Sequence, residues 1–216
     1  MSGIKGCIFD LDGVIVDTAV YHYKAWKRQA NQLNFDFTEE ENEKLKGISR
    51  KDSLSLILGW GGVEKTEVEK EQLAQLKNDW YIDMIKQMTA AEILPGALEF
   101  LQALKKAGYK IALGSASKNA GIILDKVGLT SYFDAIVDGN LISASKPDPQ
   151  VFLKGAEMLN IEPAACVVFE DAIAGVQSAL AGGMKVVGIG SKETLGNADL
   201  VISGLHEMNL EILKKL

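Results

Sequence analysis

Two carboxylates that end a short apolar run are the first candidates for chemistry in this chain. Asp10 and Asp12 follow the apolar residues 7–9, which predict a buried strand of a parallel sheet. In extended chain the two side chains can point the same way, and Gly13 then permits a sharp turn because it lacks a Cβ. Ligands of open α/β sheets bind beyond the carboxyl ends of the strands, so we expect a ligand here. An ordinary polar turn is the alternative.

A hydroxyl and an ammonium group stand at two further turns. Ser115 follows the predicted strand 110–113 and, with neighbouring backbone N–H groups, could hold phosphate oxygens. A simple helix N-cap is the alternative for this serine. Lys146 precedes Pro147, and a solvated surface lysine is the commoner case in such a turn.

Two adjacent acids leave another apolar strand. Glu170 and Asp171 follow residues 166–169, where burial of their charge is costly unless they are paired or bound to a metal. We therefore favour a functional interpretation of this pair. Acids of this kind suit a hard cation with oxygen ligands, such as Mg²⁺. The predicted Mg²⁺ ligands are Asp10, Glu170, Asp171 and the backbone carbonyl of Asp12.

The motif DLDGVIVDT, from Asp10 to Thr18, resembles the nucleophile motif of the haloacid dehalogenase superfamily. This superfamily contains aspartate-dependent phosphotransferases and phosphatases. Ser115, Lys146 and the Glu170-Asp171 pair resemble its remaining motifs, in their usual order. The resemblance thus extends across the whole predicted α/β part of the chain.

The resemblance implies a role for each member of this catalytic set. Asp10 would be the nucleophile that is phosphorylated, and Asp12 would protonate the leaving oxygen and later deprotonate the acceptor hydroxyl. Ser115 would position the phosphate, while Lys146 and Mg²⁺ would neutralise its charge. His22 would assist Asp12 by coupling cap closure to proton transfer. A packed or exposed histidine on an amphipathic helix is the alternative.

The segment after the first strand resembles the helical cap of sugar-phosphate mutases in this superfamily. The resemblance implies that Arg50, Ser117 and Asn119, joined by Lys118, grip the phosphate that is not being transferred. A guanidinium can bind phosphate bidentately, although a charge on a helix surface is the alternative for Arg50. Trp26 could equally belong to the cap core. The implied substrate-binding residues are Thr18, Trp26, Gly47, Ile48, Arg50, Ser53, Lys77, Asn78, Ser115, Ala116, Ser117, Lys118 and Asn119, with Gly47, Ile48, Lys77 and Asn78 lining the sugar pocket.

The reaction implied by the resemblance interconverts β-D-glucose 1-phosphate and D-glucose 6-phosphate through the 1,6-bisphosphate and an aspartyl-phosphate enzyme. A Mg²⁺-dependent phosphatase of a hexose phosphate or similar metabolite is the alternative, because the core motifs fit both. Arg50 opposite Ser117 to Asn119 favours the mutase, since a phosphatase needs no second phosphate site. A non-enzymatic binding module is disfavoured because the catalytic acids are all intact.

Two kinds of pattern must position these residues. Strand and helix patterns alternate from about Ile93 onward, which predicts an α/β fold with a doubly wound parallel sheet. Helical patterns fill the segment before it, with a break at Gly59 to Gly62. We therefore predict a core like that of the haloacid dehalogenase superfamily at residues 1–15 and 91–216, and an inserted α-helical cap at residues 16–90. The predicted strands are residues 7–9, 110–113, 135–137, 166–169, 186–189 and 200–202.

Length and composition limit the class of partner. The chain has 216 residues, is 47% hydrophobic and carries a formal net charge of −6, which argues against a nucleic-acid surface. No apolar run is long enough for a membrane span, and the N-terminus lacks a secretory pattern. We expect a cytoplasmic monomer whose partner is a small sugar phosphate. Cys7 and Cys166 lie in predicted strands, so we interpret both as packing residues.

Overall fold

A six-stranded parallel sheet forms the centre of the computed structural model, which describes residues 3–216. The strand order is β3-β2-β1-β4-β5-β6, so the order reverses at the first strand, where ligands of such sheets bind. This arrangement confirms the predicted fold class. The strands are β1 (Gly6–Phe9), β2 (Lys110–Gly114), β3 (Ala135–Val137), β4 (Cys166–Glu170), β5 (Lys185–Ile189) and β6 (Leu200–Ile202).

Ten α-helices surround or extend from this sheet within the described residues. Five of them lie between β1 and β2, and the first four of these fall in residues 16–90, where the sequence predicts an inserted helical unit. Within residues 3–216, no helix combines the length and apolar character needed to cross a membrane. The helices are α1 (Ala19–Gln32), α2 (Glu39–Glu43), α3 (Arg50–Trp60), α4 (Glu67–Ile85), α5 (Ala97–Lys106), α6 (Ala120–Lys126), α7 (Gln150–Leu159), α8 (Ile173–Ala181), α9 (Lys192–Leu195) and α10 (Leu210–Leu213).

The predicted break at Gly59 to Gly62 is partly wrong. Helix α3 continues through Gly59 and Trp60 and ends only at Gly61. Gly62 has a positive φ of 63°, a left-handed conformation that glycine adopts at little cost. The helix therefore accommodates Gly59 despite the low helix propensity of glycine, and it ends at the left-handed turn that Gly62 forms.

The two faces of the sheet build two separate apolar cores, because side chains alternate along β1. Cys7 and Phe9 join one cluster, in which Phe9 stacks on Phe169 with ring centroids 4.5 Å apart. Ile8 points to the other face, against Phe152 of α7. Because helices cover both faces, the strands read as continuous apolar runs.

The helical insertion has an apolar cluster of its own, built around Trp26, Phe37 and Leu54. The chain leaves the sheet and returns to it along adjacent segments, since the Leu94 N–H donates to the Ile15 carbonyl at 2.9 Å. These contacts agree with an insertion at this point. The boundaries 1–15, 16–90 and 91–216 remain a prediction.

Both cysteines should resist alkylation in the folded protein. Burial raises the pKa of Cys166 to about 11 and that of Cys7 further, so at pH 8 only about one thiol in a thousand would be ionised. We expect native protein to react with iodoacetamide at least a hundredfold more slowly than protein unfolded in guanidinium, measured by mass spectrometry. Rapid native labelling would show that the two central strands open easily.

Candidate active site

Three carboxylates meet at the carboxyl ends of β1 and β4. These strands pair in register with Phe9 opposite Phe169, which places Asp10 beside Glu170. The Asp10 N–H donates to the Phe169 carbonyl at 3.0 Å and fixes this end of the strand. Asp10, Glu170 and Asp171 each offer an oxygen, and these oxygens lie within 4.8 Å of one another.

Lys146 is the buried cation of this cluster. Its ammonium donates to Asp10 Oδ1 and, at 2.7 Å, to Glu170 Oε2. Burial alone would lower the pKa of Lys146, but the charges of Asp10 and Glu170 outweigh it and raise the pKa. Lys146 is therefore charged at neutral pH and is not the solvated surface lysine of the alternative interpretation.

The cluster retains more negative than positive charge, which fits a divalent cation. Burial, followed by the charge of Asp10, raises the pKa of Asp171 to about 6, and burial raises the pKa of Glu170 despite its pairing with Lys146. Three close, buried carboxylates facing one buried amine form a donor set of hard oxygens. Asp10, Glu170 and Asp171 would hold such a metal.

Asp12 has the environment of a group that exchanges a proton near neutral pH. Burial and then the charge of Asp10 raise the pKa of Asp12 to about 7, close to the value that suits general acid–base catalysis. The Thr18 hydroxyl donates a hydrogen bond to Asp12 Oδ1. Since Thr18 is the residue before α1, this bond ties the acid to the start of the helical insertion.

The turn between β2 and α6 is held by hydrogen bonds from its backbone N–H groups to its own serine hydroxyl groups. Ser117 N–H donates to Ser115 Oγ at 3.1 Å, and Asn119 N–H donates to Ser117 Oγ at 3.2 Å. The N-cap of α6 is Asn119, so the alternative interpretation of Ser115 as a helix N-cap is wrong. Ser115 is instead held at the strand end, where its N–H donates to the Val137 carbonyl at 3.0 Å.

The insertion contributes a His–Lys pair in which Lys77 is buried and His22 is half-buried. Lys77 Nζ lies 2.9 Å from His22 Nδ1 and packs over the rings of Trp26 and Tyr81. Burial, then the charges of Lys77 and Arg50, lowers the pKa of His22 well below its usual value, so the imidazole is neutral. Trp26 serves both the insertion's apolar cluster and this pair.

A cavity of about 800 Å³ separates the sheet from the insertion, a size typical of small-ligand sites. Its wall contains Asp10, Asp12 and Asp171 on the sheet side and Arg50 on the opposite side. Within residues 3–216 the half-buried Arg50 guanidinium makes no ion pair. The other predicted residues that line the cavity are Thr18, His22, Trp26, Gly47, Ile48, Ser53, Lys77, Ser115, Ala116, Ser117, Lys118 and Asn119.

Three predicted residues lie behind the cavity wall. Lys146 and Glu170 are buried beneath Asp10 and are absent from the lining. Asn78 is likewise buried, and its carboxamide oxygen accepts a hydrogen bond from Asn119 Nδ2 at 2.9 Å. The structure thus places Asn78 against Asn119 rather than in the sugar pocket.

Sequence reasoning assigned no role to several residues that the structure brings to the site. Tyr81 lines the cavity and its ring lies 4.2 Å from that of His22. Its position four residues after Lys77, on the same helix face, is a signal that could have found it. Lys46 and Ser145 also line the cavity, and nothing in their local sequence distinguishes them from surface residues.

Residues 7–189 match the family model described as haloacid dehalogenase-like hydrolase. The chain belongs to this family. The match confirms the resemblance identified from the motifs, and enzymes of this family use a divalent metal at an acidic cluster like this one.

Individual relatives of this family include both mutases and phosphatases. The chain is 44% identical to a β-phosphoglucomutase of Bacillus subtilis, covering 97% of this chain and 94% of that protein. It is 30% identical to a phosphorylated carbohydrates phosphatase of Thermotoga maritima, covering 84% and 83%. The crystal structure of a β-phosphoglucomutase from Clostridium difficile superimposes with a TM-score of 0.95 at 41% identity, covering 98% and 96%.

A methyl group at Gly175 should displace an acid of the cluster. A Cβ there would overlap the Glu170 carboxyl group, whose Oε1 accepts the Ala172 N–H at 3.0 Å. We expect Gly175→Ala to weaken divalent-metal binding at least tenfold and to lower the melting temperature, measured by calorimetry.

The matched control for this change is Gly121→Ala in α6, where a Cβ meets no atom within 4 Å. It should leave metal binding unchanged and stabilise the protein by about 0.5–1 kcal/mol, as alanine does in a helix. Metal affinity at the parent level in Gly175→Ala would contradict the role given to Glu170.

Proposed function

We propose that this enzyme is a phosphoglucomutase that interconverts β-D-glucose 1-phosphate and D-glucose 6-phosphate through β-D-glucose 1,6-bisphosphate. The observation that carries the proposal is the guanidinium of Arg50, which lines the cavity across from the acid cluster and has no ion-pair partner in the part of the chain that the structure describes. A mutase must hold one phosphate while the other reacts, and an arginine is suited to grip it bidentately. The identity to the Bacillus subtilis mutase supports the same conclusion.

The reaction proceeds in two transfers that share one intermediate. A carboxylate oxygen of Asp10 attacks the phosphorus of the bisphosphate, and the bond from phosphorus to the sugar oxygen breaks. Asp12, protonated at that moment, gives its proton to the leaving oxygen. The next sugar phosphate binds with its free hydroxyl toward Asp10, Asp12 takes that proton, and the phosphoryl group passes to the sugar.

The remaining residues hold the phosphates and the sugar. Lys146 fixes the Asp10 carboxylate through its bond to Oδ1, and Ser115 supplies a hydroxyl to the phosphate oxygens. Ser117, Lys118 and Asn119 accompany Arg50 at the distal phosphate. Gly47, Ile48 and Lys77 line the cavity and would contact the sugar there, and neutral His22 would assist Asp12.

Mg²⁺ is the metal that we propose for the acid cluster, with the backbone carbonyl of Asp12 as an additional ligand. When bound, it supplies positive charge that neutralises the phosphoryl oxygens. Hard carboxylate ligands shared with a substrate phosphate support this choice.

A product assay tests the proposed function directly. Parent enzyme with β-D-glucose 1-phosphate, Mg²⁺ and a trace of bisphosphate should form glucose 6-phosphate, detected through a coupled dehydrogenase, with little inorganic phosphate. Chelation should stop turnover and added Mg²⁺ should restore it, while Asp10→Asn should be inactive because it lacks the nucleophile. Release of glucose and inorganic phosphate instead would replace the mutase with the sugar phosphatase that the Thermotoga maritima relative exemplifies.

Loss of Arg50 should affect the mutase reaction selectively. A charge-assisted hydrogen bond contributes about 1.5–3 kcal/mol, so Arg50→Ala should lower kcat/KM for β-D-glucose 1-phosphate about tenfold to a hundredfold. Phosphorylation of Asp10 by acetyl phosphate, which presents no distal phosphate, should persist and can be followed by intact mass.

Arg28 provides the control for this change. It is the other arginine of the insertion and lies over the Trp80 ring, away from the cavity. Arg28→Ala should convert the sugar phosphate at the parent rate. Equal activity of Arg50→Ala and Arg28→Ala would show that Arg50 does not hold a second phosphate. The main argument for a mutase would then fail.

A further inference from the structure

A lysine of the helical insertion reaches into the acid cluster of the sheet. Lys46 Nζ lies 3.3 Å from Asp171 Oδ2 and 2.8 Å from Glu43 Oε2. Its side chain is 36% exposed, whereas that of Asp171 is only 9% exposed. The insertion therefore contacts the predicted metal ligands themselves, in addition to the cavity wall.

The position of Lys46 is fixed by the turn that follows it. Gly47 has a φ of 74°, and a Cβ built there would lie 3.5 Å from Ala172 and 3.7 Å from Lys146 Cδ. The turn thus sits directly on the segments that carry Asp171 and Lys146. Moving the insertion away from the sheet would separate Lys46 from Asp171.

Lys46 completes the charge pairing of the cluster. Lys146 donates to Asp10 and Glu170, which leaves Asp171 to the insertion's lysine. Burial lowers the pKa of Lys46, but its pairing with Glu43 and Asp171 outweighs burial and keeps it charged. Each acid of the cluster therefore has an ammonium partner, although Asp10 and Glu170 share Lys146.

We propose that Lys46 is a positioning residue that competes with the divalent metal for Asp171, so that metal binding and closure of the insertion oppose each other in the substrate-free enzyme. A metal at the cluster would lie close to the Lys46 ammonium, and like charges repel strongly in a buried site. Linkage makes the effect reciprocal: closure weakens metal binding as much as metal binding weakens closure.

A bound phosphate removes this opposition. A phosphate bound at the cluster would attract both the metal and the Lys46 ammonium, so closure of the insertion over a metal-loaded cluster would become favourable when a phosphate group is present. This inference rests on the family's divalent-metal site and on the Lys46 contact. It does not depend on whether the enzyme is a mutase or a phosphatase.

Metal affinity without substrate is the first test. Lys46→Met keeps the length of the side chain and removes its charge, and we expect it to bind Mg²⁺ about three- to tenfold more tightly than the parent in calorimetric titration. Lys44→Met is the control, because Lys44 pairs with Glu40 on the surface at 3.0 Å and should leave the affinity unchanged. Unchanged or weaker Mg²⁺ binding by Lys46→Met would overturn the proposal.

The conformation of the insertion is the second test. Dyes attached through Glu64→Cys and Met158→Cys, both exposed, would report the distance between insertion and sheet by energy transfer. Adding Mg²⁺ alone should lengthen this distance in the parent and leave it unchanged in Lys46→Met, and adding inorganic phosphate with Mg²⁺ should shorten it again. No response of the parent to Mg²⁺ would contradict the proposed competition.

The two proposals can fail separately. An enzyme that releases only inorganic phosphate, yet shows tighter Mg²⁺ binding in Lys46→Met, would disprove the mutase and support the competition. A mutase whose Mg²⁺ affinity is the same in Lys46→Met and Lys44→Met would support the proposed function and disprove the competition.

Discussion

The burial of excess negative charge at the end of two parallel strands is the constraint on which this structure depends. Asp10 and Glu170 are adjacent because β1 and β4 pair in register, and Asp171 follows at once. Such burial is costly unless the charges are paired, and Lys146 offsets only part of it. Gly13 and Gly175 leave the space that the carboxylates occupy, because a Cβ at either position would overlap Asp171 or Glu170.

The helical insertion gives the same cavity a second, positively charged side. Arg50 faces the cavity without an ion-pair partner among the described residues, and Lys46 pairs with Asp171. The neutral His22 and the buried Lys77 line the same cavity, with Lys77 Nζ 2.9 Å from His22 Nδ1. An acid cluster on the sheet side and cationic side chains of the insertion thereby share one cavity.

Much of the fold could be predicted because the chain marks its elements clearly. Strands β3 and β6 begin and end where the sequence patterns place them. The end of α3 was predicted less accurately. The low helix propensity of Gly59 favours a break there, but the helix continues through this residue in the folded protein. The N-cap interpretation of Ser115 failed for a related reason: the turn after β2 is longer than a direct entry into α6.

The sequence by itself determined which chemistry this protein can perform and at which edge of the sheet. Acids and a serine follow apolar runs, and the carboxyl ends of parallel strands share one edge, so these groups had to meet. Only the tertiary structure decided which residues of the insertion face them. The contacts of Lys46 with Asp171 and of Asn78 with Asn119 depend on how four helices pack on the sheet. Local patterns do not encode that packing, because the two partners of each contact are distant in sequence.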